Sequence, residues 1–81
     1  MSNVDEILKE LNDIFVQVFK DENLNISYDT SPEDIQEWDS FSNINLILDI
    51  ESRFGIHFEL SELVNIDNVG KLAEYILDKQ N

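Results

Sequence analysis

Val4, Ile7, Leu8, Leu11, Ile14, Phe15 and Val18 recur at helical spacing near the start of the chain, and this stripe constrains the fold more than any other feature. It predicts a helix whose apolar face packs into a core. Ser2 followed by Asp5 resembles a capping box, so the helix is expected to start at Ser2 and to run to about Phe19 or Lys20. Val69, Leu72, Ala73 and Ile76 repeat the pattern near the end of the chain, with Asp67 as the expected N-cap, Lys79 as the approximate end and Tyr75 partly buried. A short helix is expected near Leu60–Val64, and no alternating run marks a strand. The expected class is therefore all-α: a small bundle of three longer helices and one short third helix. With 81 residues and no cysteine, residues 1–81 are read as one domain held by packing alone, without disulfides or thiolate metal sites.

The second helix carries more apolar residues than one face can bury. From Ser40 to Phe54 the residues Leu46, Ile47, Ile50 and Phe54 form a stripe that suits a core. Phe41, Ile44 and Leu48 form a second stripe on the Ser40 side of the cylinder, where the same core cannot reach them. That stripe calls for another occupant. Gly55 is expected to end the helix in a left-handed conformation, and Asp39 to cap its start, which puts Ser40 in the first turn. Unpaired amides and the positive end of the macrodipole would favour a phosphate ester on that serine.

Residues 21–39 read as a long acidic loop, with a short turn at Ser31–Ile35 and with Leu24, Ile26, Ile35 and Trp38 available to pin it down. The formal charge is −13, from 18 Asp and Glu against 5 Lys and Arg. Between Asp21 and Glu51 there are carboxylates and no Lys or Arg at all. A field of that sign argues against nucleic-acid and anionic-membrane partners and steers basic protein surfaces toward Ser40. The bland reading is a solvated loop that aids solubility. No basic flank precedes an apolar run at the start, and no apolar run is long enough to span a bilayer, so a monomeric, cytoplasmic protein with no membrane insertion is expected.

Other chemistries fit less well. Asp21, Asn23, Asn25, Ser27 and Asp29 alternate as in a calcium loop, but Ile26 stands where that loop needs Gly and Pro32 where it needs a bidentate Glu. No metal site is expected. A nucleophilic Ser40 would need a base and an elbow, but no Gly-x-Ser-x-Gly turn precedes its helix and the sole histidine, His57, reads as a surface residue. An unmodified adaptor that binds a partner helix through Phe41, Ile44 and Leu48 is a further alternative.

The run Trp38-Asp39-Ser40-Phe41, continued by Leu46-Ile47-Leu48, Ile50-Glu51, Phe54-Gly55-Ile56 and Val69, resembles the phosphopantetheine-binding acyl carrier proteins. The resemblance covers nearly the whole chain, including the long first loop. It implies a carrier and not an enzyme. Ser40 would hold a 4′-phosphopantetheine arm delivered from coenzyme A by a magnesium-dependent phosphopantetheinyl transferase, and Asp39 would orient the loop and help hold magnesium in that complex. Phe41, Ile44 and Leu48, with Asp49 and Glu51, would form the face toward partner enzymes that transfer or activate acyl groups, bordering the acyl pocket. Fatty acid biosynthesis is the commonest setting the resemblance implies. Phe41 replaces the commoner Leu, which makes the chain similar also to D-alanyl carriers with an aminoacyl cargo, and Asn43 and Asn45 stand where many members carry acids, a departure from the face that standard fatty-acid synthase partners recognise.

Overall fold

The computed structural model describes residues 3–80, and it is built of four helices: α1 (Val4–Phe19), α2 (Ser40–Phe54), α3 (Leu60–Leu63) and α4 (Val69–Gln80). The expected class and element order hold, with α3 the minor helix. α1 is the centre of the assembly and packs against both α2 and α4. Its residues Ile7, Leu11, Ile14 and Phe15 are buried, while Val4, Leu8 and Val18 at the margins of the stripe are half-buried. Leu46, Ile47 and Ile50 from α2 and Val69, Leu72, Ala73 and Ile76 from α4 close the core around them. Phe54 lies at its edge, half-buried, and Tyr75 is partly buried as expected. Among the described residues no polar or charged side chain is buried, so the interior is held by apolar contact alone.

The caps refine the expected boundaries. α1 is capped by Asn3, whose Oδ1 accepts from the Glu6 amide at 2.9 Å; Ser2, the expected cap, lies outside the described residues. α4 is capped one residue later than Asp67, because Asn68 Oδ1 accepts from the Lys71 amide at 2.7 Å. At both ends two residues of capping type are neighbours in the sequence, and Asn3 and Asn68 each accept from the amide three residues on. α2 ends at Gly55 (φ +64°), as expected. α1 ends at Lys20, which takes the left-handed conformation without the freedom of glycine.

The loop between α1 and α2 lacks regular structure but is tied at several points. Ile26, Ile35 and Trp38 are buried and Leu24 half-buried, as expected, and the Asp34 amide bonds to Ser31 O in the expected turn. Asn12 Oδ1 on α1 accepts from the Ile26 amide at 2.8 Å. Thr30 O and Tyr28 O then accept from the Val69 and Gly70 amides, each at 2.7 Å, so loop carbonyls satisfy the first donors of α4. The alternating polar residues serve as local turn formers: Asp21 Oδ1 accepts from the Asn23 amide and Thr30 Oγ1 from the Ser27 amide. Among the described residues no three acidic or histidine side chains converge as a metal cage.

Gly70 makes the junction with Tyr28 possible. A Cβ there would lie 2.6 Å from Tyr28 Cε1 and 2.7 Å from Tyr28 O, and the backbone oxygen cannot swing aside as a flexible side chain could. Gly70→Ala is therefore expected to destabilise the fold by about 1–3 kcal/mol through overpacking, measured as a lower urea midpoint at unchanged slope. A midpoint equal to the wild type would show that the loop does not press on α4.

Candidate functional site

Ser40 is the first residue of α2 and is exposed, and among the described residues its hydroxyl takes part in no hydrogen bond. The hydroxyl is held outward by the backbone around it. Asp39 has extended backbone (φ −116°, ψ −174°), and its Oδ1 accepts from the amides of Phe41 at 3.1 Å and Ser42 at 2.9 Å. Ser42 returns the contact, its Oγ accepting from the Asp39 amide at 2.9 Å, which completes a capping box with serine at the position Glu or Gln usually fills. Two of the first-turn amides are thus already occupied. An anion on Ser40 would meet the field of the helix but not those two donors, which narrows the electrostatic advantage expected from the sequence.

Donation from the Ser42 amide, joined by the Phe41 amide, holds the Asp39 carboxyl below its ordinary value. The negative charge beside Ser40 is a fixed feature of the cap. The residues before it are tied in as well. Trp38 is buried with its ring edge-on to Phe15, centroids 5.1 Å apart and planes at 89°, and its Nε1 donates to Asn43 Oδ1 at 2.9 Å.

The second stripe of α2 stands in solvent: Phe41 is 77% exposed, Ile44 61% and Leu48 59%. Leu46 and Ile50 on the opposite face are fully buried, so one helix serves two environments. Asp49 is half-buried, beyond the stripe. Glu51 is engaged within the molecule, its Oε2 accepting from the Phe58 amide at 2.8 Å and lying 3.2 Å from His57 Nδ1. His57 is exposed, as expected.

Two features of this region escape a reading of the sequence. Leu60 and Val64, one turn apart on and just after α3, are as exposed as Phe41, so apolar surface is not confined to α2. Ser42 and Asn43 form bonds across Ser40, and the spacing Asp39-x-x-Ser42 is the signal that could have found the first of them. An open groove elsewhere is lined by residues including Leu8, Asn12, Asn25, Ile26 and Phe54, and none of Ser40, Phe41, Ile44 and Leu48 borders it.

Two cations pair with carboxylates outside the Asp21–Glu51 run. Arg53 pairs with Glu10 at 3.2 Å, joining α2 to α1, and Lys79 pairs with Glu62 at 2.9 Å while lying 5.6 Å from the centroid of the Phe58 ring. The Glu62 carboxyl is held below its ordinary value first by the Glu59 amide and then by Lys79. Among the described residues no helix is long and apolar enough to cross a membrane.

The family model described as the phosphopantetheine attachment site matches residues 9–76. The solution NMR structure of the holo acyl carrier protein from Geobacter metallireducens is similar to this chain with a TM-score of 0.87 and 42% sequence identity, covering 91% of this chain and 85% of that one. No curated protein matches the chain.

Two measurements check this geometry. Ile44→Arg is expected to leave the thermal midpoint nearly unchanged, whereas Ile50→Arg places a charge in the core and should abolish cooperative unfolding. Equal loss in both would refute the two-faced helix. Because folding lowers the Asp39 pKa, the cap's contribution is complete above the unfolded aspartate value of about 3.9 and is lost as pH falls through the lower folded value. Comparing Asp39→Asn with the wild type should show a stability difference above that window which narrows below it.

Proposed function

The chain belongs to the phosphopantetheine attachment-site family and is an acyl carrier protein, and on that premise we propose that Ser40 is the residue to which the 4′-phosphopantetheine arm is attached. The observation that carries the reading is an exposed, uncommitted hydroxyl on the first residue of α2, beside a carboxylate already locked as the cap. A bulky ester fits there without displacing a packed side chain.

In the attachment step a phosphopantetheinyl transferase brings coenzyme A to Ser40. The bond from Ser40 Oγ to phosphorus forms, the bond from that phosphorus to the adenosine bisphosphate half of coenzyme A breaks, and the hydroxyl proton passes to a base of the transferase. Asp39 contributes by presenting the loop and by offering its second carboxylate oxygen to the transferase's magnesium, a hard ion suited to such a ligand. Once in place, the arm supplies a thiol that holds a carbonyl group as a thioester activated for transfer.

Phe41, Ile44 and Leu48 form the landing face for partner enzymes and border the carried chain, with Asp49 and Glu51 supplying charge at its margins. Burying three such exposed side chains against a partner would contribute a few kcal/mol, on the order of 25 cal/mol per Å² of apolar area. The carboxylates from Asp21 onward attract basic surfaces of acyl-transferring or acyl-activating enzymes and raise encounter rates. A cytoplasmic, monomeric carrier fits this picture. The cargo we favour is an acyl group, as in fatty acid synthesis. An exposed aromatic Phe41 directly after the serine favours, as a second reading, an aminoacyl cargo of the D-alanyl type.

Intact-mass spectrometry after incubation with coenzyme A, magnesium and a broad-specificity transferase should show the mass of one phosphopantetheine arm added to the wild type and none to Ser40→Ala. An addition that survives Ser40→Ala would move the attachment elsewhere. No addition to the wild type would favour the unmodified adaptor.

A further inference from the structure

The bonds that span Ser40 are denser than a helix start requires. Ser42 Oγ donates to Glu37 O at 2.7 Å and accepts from the Asp39 amide at 2.9 Å, and it lies 3.1 Å from Asp39 Oδ1. One hydroxyl thus holds two residues on the near side of Ser40 from two residues beyond it. A serine hydroxyl has a single proton, and the shortest contact, to Glu37 O, takes it; the amide of Asp39 fills an oxygen lone pair. Trp38, between those two residues, is tied across Ser40 by Asn43 and seated on Phe15, which refers the whole clasp to the core. The Glu37, Trp38 and Asp39 positions are therefore all set by groups on the far side of the serine or beneath it.

Resting on the proposed attachment at Ser40, we infer that Ser42 is a positioning residue for that reaction: its hydroxyl fixes Glu37 and Asp39 so that Ser40 Oγ meets the phosphorus of coenzyme A in line. Ser42 does not touch the reacting atoms. It acts by restricting where the nucleophile can be, and misplacement of a reacting group by about 1 Å can cost on the order of a hundredfold in rate. Docking onto the transferase depends on other side chains, so the loss falls on turnover and not on binding. Threonine keeps the hydroxyl and its contacts; alanine keeps the helix, since Asp39 Oδ1 still accepts from the amides of residues 41 and 42.

The test compares wild type, Ser42→Ala and Ser42→Thr as substrates of a phosphopantetheinyl transferase with coenzyme A, with kcat and KM for the carrier measured separately and helical content followed by circular dichroism. The expected result is a fall in kcat of about tenfold or more for Ser42→Ala, an unchanged KM, a helical spectrum like that of the wild type, and recovery in Ser42→Thr. An unchanged kcat would overturn the inference. So would a change confined to KM, which would make Ser42 a docking group, or a loss of helix in Ser42→Ala that accounts for the rate. Ser40→Ala, run alongside, separates the two readings: if it is still modified, the attachment site is wrong, whereas normal turnover of Ser42→Ala with an inert Ser40→Ala leaves the attachment site standing and removes only the role of Ser42.

Discussion

Trp38 seated edge-on against Phe15 is the contact on which the arrangement of the exposed serine depends. Phe15 is fully buried, one turn before the end of the central helix, so the indole is referenced to the hydrophobic core. Two residues later the chain is in solvent. Within that short distance it must pass from close packing to full display, and the indole N–H bonded to Asn43 shows how this is done without leaving a buried donor unpaired. The loop delivers the serine to the helix instead of merely connecting α1 to α2.

α2 carries the conflict between stability and use. Its inner stripe joins the core, and its outer stripe keeps three large apolar side chains in water, a free energy cost that folding alone never recovers. The acidic sector offsets the risk, because a strongly anionic surface discourages copies of the chain from associating through their apolar faces. The same charges weaken the compact state by mutual repulsion. The pairing of Arg53 with Glu10 and of Lys79 with Glu62 places cations at helix junctions, where they relieve that repulsion without neutralising the face around Ser40.

Much of this was legible in the residues themselves. The stripes of α1, α2 and α4 give the helices and the buried set, because an apolar period of about 3.6 residues sustained over several turns suits neither a strand nor a loop. Asp39 as cap, Gly55 as terminator and the two faces of α2 follow from the same spacing. What the sequence could not decide is local choice between equivalent neighbours: Ser2 or Asn3, Asp67 or Asn68. The Glu51 carboxylate reads as outward charge from its position on the helix, yet the turn after Gly55 brings the Phe58 amide onto it, a contact no periodicity encodes. The exposure of Leu60 and Val64 was hidden for a related reason, since four helical residues carry too little pattern to tell an inner face from an outer one.

Gly70 also looks ordinary in the sequence, a single glycine inside a helical pattern. Its meeting with Tyr28 turns the first loop into a measured span: one end is bolted to α1 through Asn12, the middle to the start of α4, and the far end to the core at Trp38. Chain length between those bolts is consequently not a free variable. Insertions would be absorbed in the exposed stretch Asp21–Asn23, ahead of the first bolt, whereas one added residue between Thr30 and Trp38 would have to bulge outward or drag the serine off its mark.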